Sequence, residues 1–569
     1  MIRANPTGSQ PVAIVPGDDV RIQLDLRIPV RDGIRLYAVL YRPARGERTP
    51  VLLLRGPASR SGAQNVDWAI RFARHGYAVV IQDLRGRQES EGVWRPYVDD
   101  AQDGYDTQQW IGAQPWCDGN IGTFGVSHAG FMQILPAPLR SPYVKALVPI
   151  ANQEDNYGHL RNDGVLQIEV AMIFFGLANR TDQNALRARI DWEQVYRRLP
   201  LVSALDDMAD RPFYREILRH SSFDEFWKSY SMKGKYAEVE VPAYFITGWY
   251  DNLLHEMFKC FAGWKGQARS PEARGKSRLL IGPWPHGQIG GAEPFGDVDF
   301  GPEAAVDIPG LHLRWYDQRL KGMDTGIDEE PPVRLFVMGG NFWRDEQEWP
   351  LARTRYTRFY LHSRGRANAL EGDGALSLEP PGDESPDVFT YDPEDPVPTL
   401  GGQSLFMDKT GPKDRRPVER REDVLVYTTS PLADDLEVTG PILLTLYAAS
   451  SAPDTDFTGT LVDVHPDGKA IILCEGILRA RFRESHEKPT LIQPGSIYEY
   501  RISLWETSNL FKKGHCIRVE VSSSNFPRFD RNLNTGADPG LGVEARTARQ
   551  TVYHNTQHPS HVLLPVIPG

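Results

Sequence analysis

The stretch Gly122-Thr123-Phe124-Gly125-Val126-Ser127-His128-Ala129-Gly130 constrains this chain more than any other. It reads as a short β-strand that breaks sharply into a helix, with one serine at the break. Small residues on either side let the strand and helix approach closely, and a tight turn there presents the hydroxyl outward. Two later segments narrow the reading. Gly248-Trp249-Tyr250-Asp251 follows the apolar run Ala243-Tyr244-Phe245-Ile246, and Gly282-Pro283-Trp284-Pro285-His286-Gly287 follows Leu279-Leu280-Ile281. Each places a polar residue just past the carboxyl end of a predicted strand.

A serine, an aspartate and a histidine in that order, each at a strand end, is the chain order of an α/β-hydrolase. A serine hydroxyl is a weak nucleophile and needs a neighbouring base to take its proton. The pattern predicts His286 as that base, with Asp251 orienting the ring and stabilising the imidazolium that forms. The backbone N–H of His128, directly after the nucleophile, is the expected oxyanion donor, and a second is expected from the loop Arg55-Gly56-Pro57-Ala58-Ser59-Arg60. The imidazole of His128 is assigned a packing role on the helix.

The surrounding pattern fits that fold. Arg21–Leu26 alternates polar and apolar, a turn follows at Arg31-Asp32-Gly33, and Arg35–Tyr41 completes a hairpin with one exposed face. Val51–Leu54 and Tyr77–Ile81 are continuous apolar runs, as parallel strands buried on both faces require. Helical periodicity over Asp67–Arg74 and Asp99–Ile111 alternates with these strands, and Val144–Ile150 is the next strand. The acidic group Asp99, Asp100 and Asp103 opens a helix, where the dipole favours negative charge. Such repetition builds a doubly wound parallel sheet with ligands at the carboxyl strand ends. Residues 151–240 show helical stretches such as Val165–Phe175 and no buried strand, which predicts a helical cap inserted over the site. The sheet resumes at 241 and ends with the helix Leu311–Leu320 and the strand Val333–Met338. From 353 to 569 short alternating segments separated by Gly, Pro and Asp turns predict a jelly-roll β-sandwich. The expected organisation is therefore an α/β-hydrolase domain in two parts (1–150 and 241–352), a helical cap (151–240) and a C-terminal all-β domain (353–569).

At 569 residues the chain is too long for one core. Its net charge of −11 argues against polyanion partners such as nucleic acid. The four cysteines, Cys117, Cys260, Cys474 and Cys516, are far apart, which predicts neither a disulfide framework nor a zinc site. No apolar run is long enough to span a bilayer and no secretory leader is visible, so no membrane association and a reducing, cytoplasmic setting are expected. The segment Asp530–Gly536 is laid out partly like a calcium loop, but its glycine falls one place late and Leu541 stands where a closing glutamate belongs. His255-Glu256 lacks the second histidine of a zinc-protease motif. No metal and no cofactor are expected.

The chain resembles the cocaine esterase family of serine hydrolases, which shares its architecture with X-Pro dipeptidyl-peptidases and α-amino acid ester hydrolases. The resemblance rests on Gln82-Asp83-Leu84-Arg85-Gly86, Pro115-Trp116-Cys117-Asp118-Gly119-Asn120, the serine turn, Gly248-Trp249-Tyr250-Asp251 and Gly282-Pro283-Trp284-Pro285-His286. In the β domain it rests on Val521-Ser522-Ser523-Ser524-Asn525-Phe526-Pro527 and His558-Pro559-Ser560-His561. It implies a jelly roll that closes one side of the site and an acyl pocket walled by His159, Phe174, Leu253, Leu405 and Phe406. Two positions depart from the family. Ala58 stands where the resemblance places an oxyanion tyrosine, leaving room for a bulkier acyl group, and His128 replaces the tyrosine usual after the nucleophile. The expected activity is ester cleavage through a Ser127 acyl-enzyme on a small-molecule ester or amide, by a chain compatible with a homodimer. The alternatives are an amidase or acylase, an aminoacyl-ester or peptide hydrolase, whose aminopeptidase-like preference would need Glu154, Asp155 and Asp163 to hold a free amine, and a decayed, hydrolase-shaped binding protein.

Overall fold

The computed structural model describes residues 19–46, 48–57, 60, 62–172, 187–208, 212–406 and 408–568. Ten strands form one sheet. β1 (Val20–Pro29) and β2 (Arg35–Pro43) are the predicted hairpin, and β2 runs antiparallel to β4 (Ala78–Asp83). The parallel core continues through β3 (Thr49–Gly56), β5 (Cys117–Val126), β6 (Val144–Ile150), β7 (Tyr244–Tyr250), β8 (Arg278–Pro285) and β9 (Val333–Val337). Every residue of β4, β7 and β8 is buried, which is why these segments carry apolar runs rather than alternation. Helices α1 (Ala63–Arg74), α2 (Asp100–Gly112), α3 (His128–Ile134), α4 (Leu254–Gln267) and α5 (Ile308–Lys321) accompany the sheet. At the end of α1, Gly76 takes φ +87, the left-handed turn that stops the helix.

Two elements differ from the sequence reading. The hydrolase sheet does not end at β9: β10 (Phe342–Glu346) folds back antiparallel on it. In the cap, Val165–Leu166 is not helical. It pairs with Arg161–Asn162 in a small hairpin, and helix resumes only at Ile168–Val170. Tertiary contacts outweigh local propensity here. The Leu166 N–H donates to the Asp530 carboxylate at 3.1 Å and the Gln167 N–H to the Leu160 carbonyl at 2.7 Å, so the chain is drawn out toward the β domain.

The C-terminal part is almost wholly β, and its strands form a second sheet of eleven. Its strands include Arg355–His362, Leu425–Thr428, Leu436–Ser450 and Cys516–Ser522. This unit is stitched to the hydrolase sheet. The Met338 N–H donates to the Ser508 carbonyl at 3.0 Å, the Leu510 N–H donates back to Met338 at 2.8 Å, and the Tyr250 hydroxyl donates to the Ile472 carbonyl at 3.0 Å.

Candidate active site

The serine sits at the break between β5 and α3. Ser127 has φ +62 and ψ −124, a region that residues other than glycine seldom occupy. Such strain persists only where the surroundings enforce it, and here they do. A Cβ on Gly125 would lie 2.6 Å from the Ala129 Cβ, and one on Gly130 would lie 2.7 Å from the Ile150 carbonyl oxygen. The same carbonyl accepts the Ser127 N–H at 2.8 Å. Beneath the turn, the buried Gln133 amide donates to the Val148 carbonyl at 3.0 Å and accepts from the Val148 N–H at 3.1 Å, tying α3 to β6. Small residues are present because larger ones would push the helix off the strand.

Asp251 follows β7 and is fully buried. Its Oδ1 accepts the Leu253 N–H at 2.7 Å, while Oδ2 lies 3.1 Å and Oδ1 3.2 Å from Nδ1 of His286, which follows β8. This contact fixes the ring so that Nε2 is the free nitrogen. His286 and Ser127 line one pocket.

Of the other residues anticipated for the site, His128, His159, Leu253 and Leu405 line that pocket as well. Phe406 is not among its walls. Its N–H turns back to the Ser404 hydroxyl at 3.4 Å, and it is the neighbouring Leu405 that lines the pocket. Ala58 and Phe174 lie outside the described residues. Tyr97, Gln153 and Asn252 also line the pocket and were not anticipated. Tyr97 and Ala151, two residues before Gln153, have positive φ (+72 and +48), so irregular turns without a periodic signature bring them in. Asn252 is signalled only by being next to Asp251.

The His128 ring stacks on Tyr97 at 4.5 Å between centroids and forms part of the pocket wall. Burial disfavours the imidazolium, lowering the pKa of His128 to about 3 and that of His159 to about 4. Both rings are neutral at neutral pH.

The carboxylates considered for an amine site are engaged elsewhere. Glu154 accepts the Tyr236 hydroxyl at 2.8 Å, Asp155 caps the helix Asn156–Leu160, and Asp163 lies 3.5 Å from His486. In the calcium-like segment, Asp530 is bound to Arg479 at 2.9 Å. His255 contacts Glu506 and Glu256 pairs with Lys259. One group of metal-ligand type does form, on the β domain: Asp463, His465 and His515 bring donor atoms within 4.8 Å of one another. Its carboxylate already has protein partners, His515 Nδ1 at 2.8 Å and Asn509 Nδ2 at 3.2 Å. No helix among the described residues is long and apolar enough to cross a membrane.

A doubly wound sheet, a strained serine after its central strand, and an aspartate–histidine pair at the ends of later strands define a serine hydrolase of the α/β class. Residues 32–288 match the X-Pro dipeptidyl-peptidase (S15 family), and residues 325–563 match the X-Pro dipeptidyl-peptidase C-terminal non-catalytic domain. A cocaine esterase of Rhodococcus sp. (strain MB1 Bresler) is 41% identical over 95% of this chain and 98% of its own. Among solved structures, an aminopeptidase from a marine sediment archaeon (Thaumarchaeota archaeon) superposes with a TM-score of 0.83 at 25% identity, covering 99% of both chains. An α-amino acid ester hydrolase superposes with a TM-score of 0.82 at 25% identity over 99% of both chains. The chain belongs to the cocaine esterase family of serine hydrolases.

Proposed function

We propose that this protein is a serine carboxylesterase that cleaves small-molecule esters through an acyl-enzyme on Ser127. The observation that carries the reading is the convergence, on one pocket, of a strained serine and a histidine held at Nδ1 by a buried carboxylate. His286 Nε2 takes the Ser127 proton as the hydroxyl attacks the ester carbonyl. Asp251 stabilises the resulting imidazolium, and the His128 N–H, first in α3, donates to the oxyanion of the tetrahedral intermediate. His286 then protonates the departing alcohol, and water, activated by the same ring, releases the acid. A preference for free-amine substrates is not favoured, because Glu154, Asp155 and Asp163 do not line the pocket. All four cysteines are free thiols, which supports a reducing, cytoplasmic setting.

The test is hydrolysis of a p-nitrophenyl ester series by wild type and Ser127→Ala, with fluorophosphonate labelling of both. Turnover and labelling that vanish together in the variant support the reading. Turnover that survives Ser127→Ala places the chemistry elsewhere, and a wild type that neither labels nor turns over would be a binding protein.

A further inference from the structure

We propose that the acyl subsite is built for a short acyl chain bearing an uncharged hydrogen-bonding group, a hydroxyacyl ester, rather than for a hydrocarbon or charged chain. This rests on the esterase reading of Ser127.

The argument starts from polar atoms without partners. His128, Gln153, His159 and Asn252 are each more than nine-tenths buried and line the pocket that holds Ser127 and His286. Each carries a buried polar atom that meets no hydrogen-bonding group among the described residues: His128 Nε2, Gln153 Oε1, His159 Nδ1 and Asn252 Oδ1. A native interior satisfies nearly all such groups, so four around one small space mark a site that awaits a polar occupant. They are also held in place. The Gln153 amide lies 2.9 Å from the Asn156 amide, which holds the side chain in place. His159 rides on the helix Asn156–Leu160, capped by Asp155, and its carbonyl accepts from Gln167 Nε2 at 2.5 Å. His128 is fixed by its stack on Tyr97.

A hydrocarbon chain packed against these atoms leaves them without a hydrogen bond, whereas a hydroxyl can supply one. Sites built around such bonds discriminate strongly against the analogue that lacks them. The character of the occupant follows from the groups present. No Asp, Glu, Lys or Arg among the described residues lines the acyl side of the pocket, so neither a carboxylate nor an ammonium finds a counter-charge. The nearby Glu169 accepts from the Ser404 hydroxyl at 3.1 Å and lies 3.8 Å from Lys409. A neutral imidazole offers one donor and one acceptor, and a side-chain amide carries both a donor and an acceptor end. A hydroxyl both gives and takes, and so matches this set. Leu253 and Leu405 supply the apolar wall for the carbon skeleton.

The experiment compares isosteric methyl esters with one alcohol, β-hydroxybutyrate against isovalerate and lactate against isobutyrate, by pH-stat with both enantiomers. The hydroxyacyl member of at least one pair is expected to show a kcat/KM about tenfold or more above its isostere, the worth of one recovered hydrogen bond to a buried group. Gln153→Met and His159→Phe should each draw that ratio toward one. A wild-type ratio at or below one in both pairs overturns the proposal while leaving the esterase intact. If Ser127 labels with fluorophosphonate but no ester of either pair is hydrolysed, the acyl assignment alone is refuted. If Ser127 neither labels nor turns over any ester, the esterase reading fails and the assignment falls with it.

Discussion

Replacing Asp251 by asparagine tests the orienting role of the carboxylate with the least disturbance of shape. Asp251 is fully buried, so the amide cannot escape into solvent. Its Oδ1 accepts the Leu253 N–H at 2.7 Å, and only an oxygen can keep that bond. The asparagine carbonyl is therefore committed to Leu253, and its NH₂ group is forced toward His286 Nδ1, where Oδ2 now lies at 3.1 Å. A donor there requires Nδ1 to accept, which moves the ring proton to Nε2, the nitrogen that must be free to deprotonate Ser127. The ring keeps its position but holds the wrong tautomer, and the imidazolium loses its counter-charge. In comparable serine hydrolases this change lowers kcat about ten-thousand-fold, equivalent to ~5 kcal/mol of barrier. The assay is kcat on a p-nitrophenyl ester at neutral pH, beside a thermal melt showing that the variant is folded. KM should change far less than kcat. A folded variant retaining kcat within about tenfold of wild type would refute the tautomer argument.

Three further perturbations probe the framework. His312 is fully buried in the sheet–helix core, its Nδ1 2.7 Å from the Ile308 carbonyl, and burial lowers its pKa from 6.5 to about 4. Its neutral form is the stable one in the fold, so its stabilisation is complete above about pH 6.5 and is lost as pH falls toward 4. Wild type should lose about 3 kcal/mol more than His312→Phe between pH 8 and pH 4, read by denaturant unfolding; parallel profiles would refute this. Arg479 is buried between Asp456 at 2.8 Å and Asp530 at 2.9 Å, so Arg479→Met leaves two buried carboxylates uncompensated and should cost about 3–5 kcal/mol, whereas an unchanged unfolding midpoint would contradict that. Gly130→Ala drives a methyl to 2.7 Å from the Ile150 carbonyl that holds the Ser127 N–H, so stability should fall by about 1–3 kcal/mol and kcat with it. Wild-type values of both Tm and kcat would show that the elbow has slack.

What the sequence discloses and what it hides follow the range of the interactions. The parallel strands are legible because burial on both faces leaves uninterrupted apolar runs, and the serine turn because steric demand confines Gly125, Ala129 and Gly130 to small residues. Asp251 and His286 are legible because each directly follows such a run. The polar walls of the pocket are not. Gln153 and Tyr97 arrive through backbone turns at positive φ that no period announces, and the Val165–Leu166 hairpin is dictated by Asp530, which lies 364 residues away in the chain. The grouping of Asp463, His465 and His515 is hidden in the same way, since adjacent strands bring in His515 from fifty residues further on. Phe406 shows the limit of single-residue inference in a loop: of the neighbours Leu405 and Phe406, Leu405 lines the pocket and Phe406 does not.

The strand end that carries Asp251 does not stand by itself. The Trp249 carbonyl accepts from Gln403 Nε2 at 2.9 Å, the Tyr250 hydroxyl reaches the Ile472 carbonyl, and Leu405 completes the pocket wall. All three partners come from the C-terminal unit, whose family description is non-catalytic. The surroundings of Asp251 are therefore shared between the two matched regions, so exchanging the second one in this chain would alter the pocket wall and the supports of that strand end together. A chain ending before residue 400 would deprive the Trp249 carbonyl and the Tyr250 hydroxyl of these partners and open the acyl side of the site to solvent.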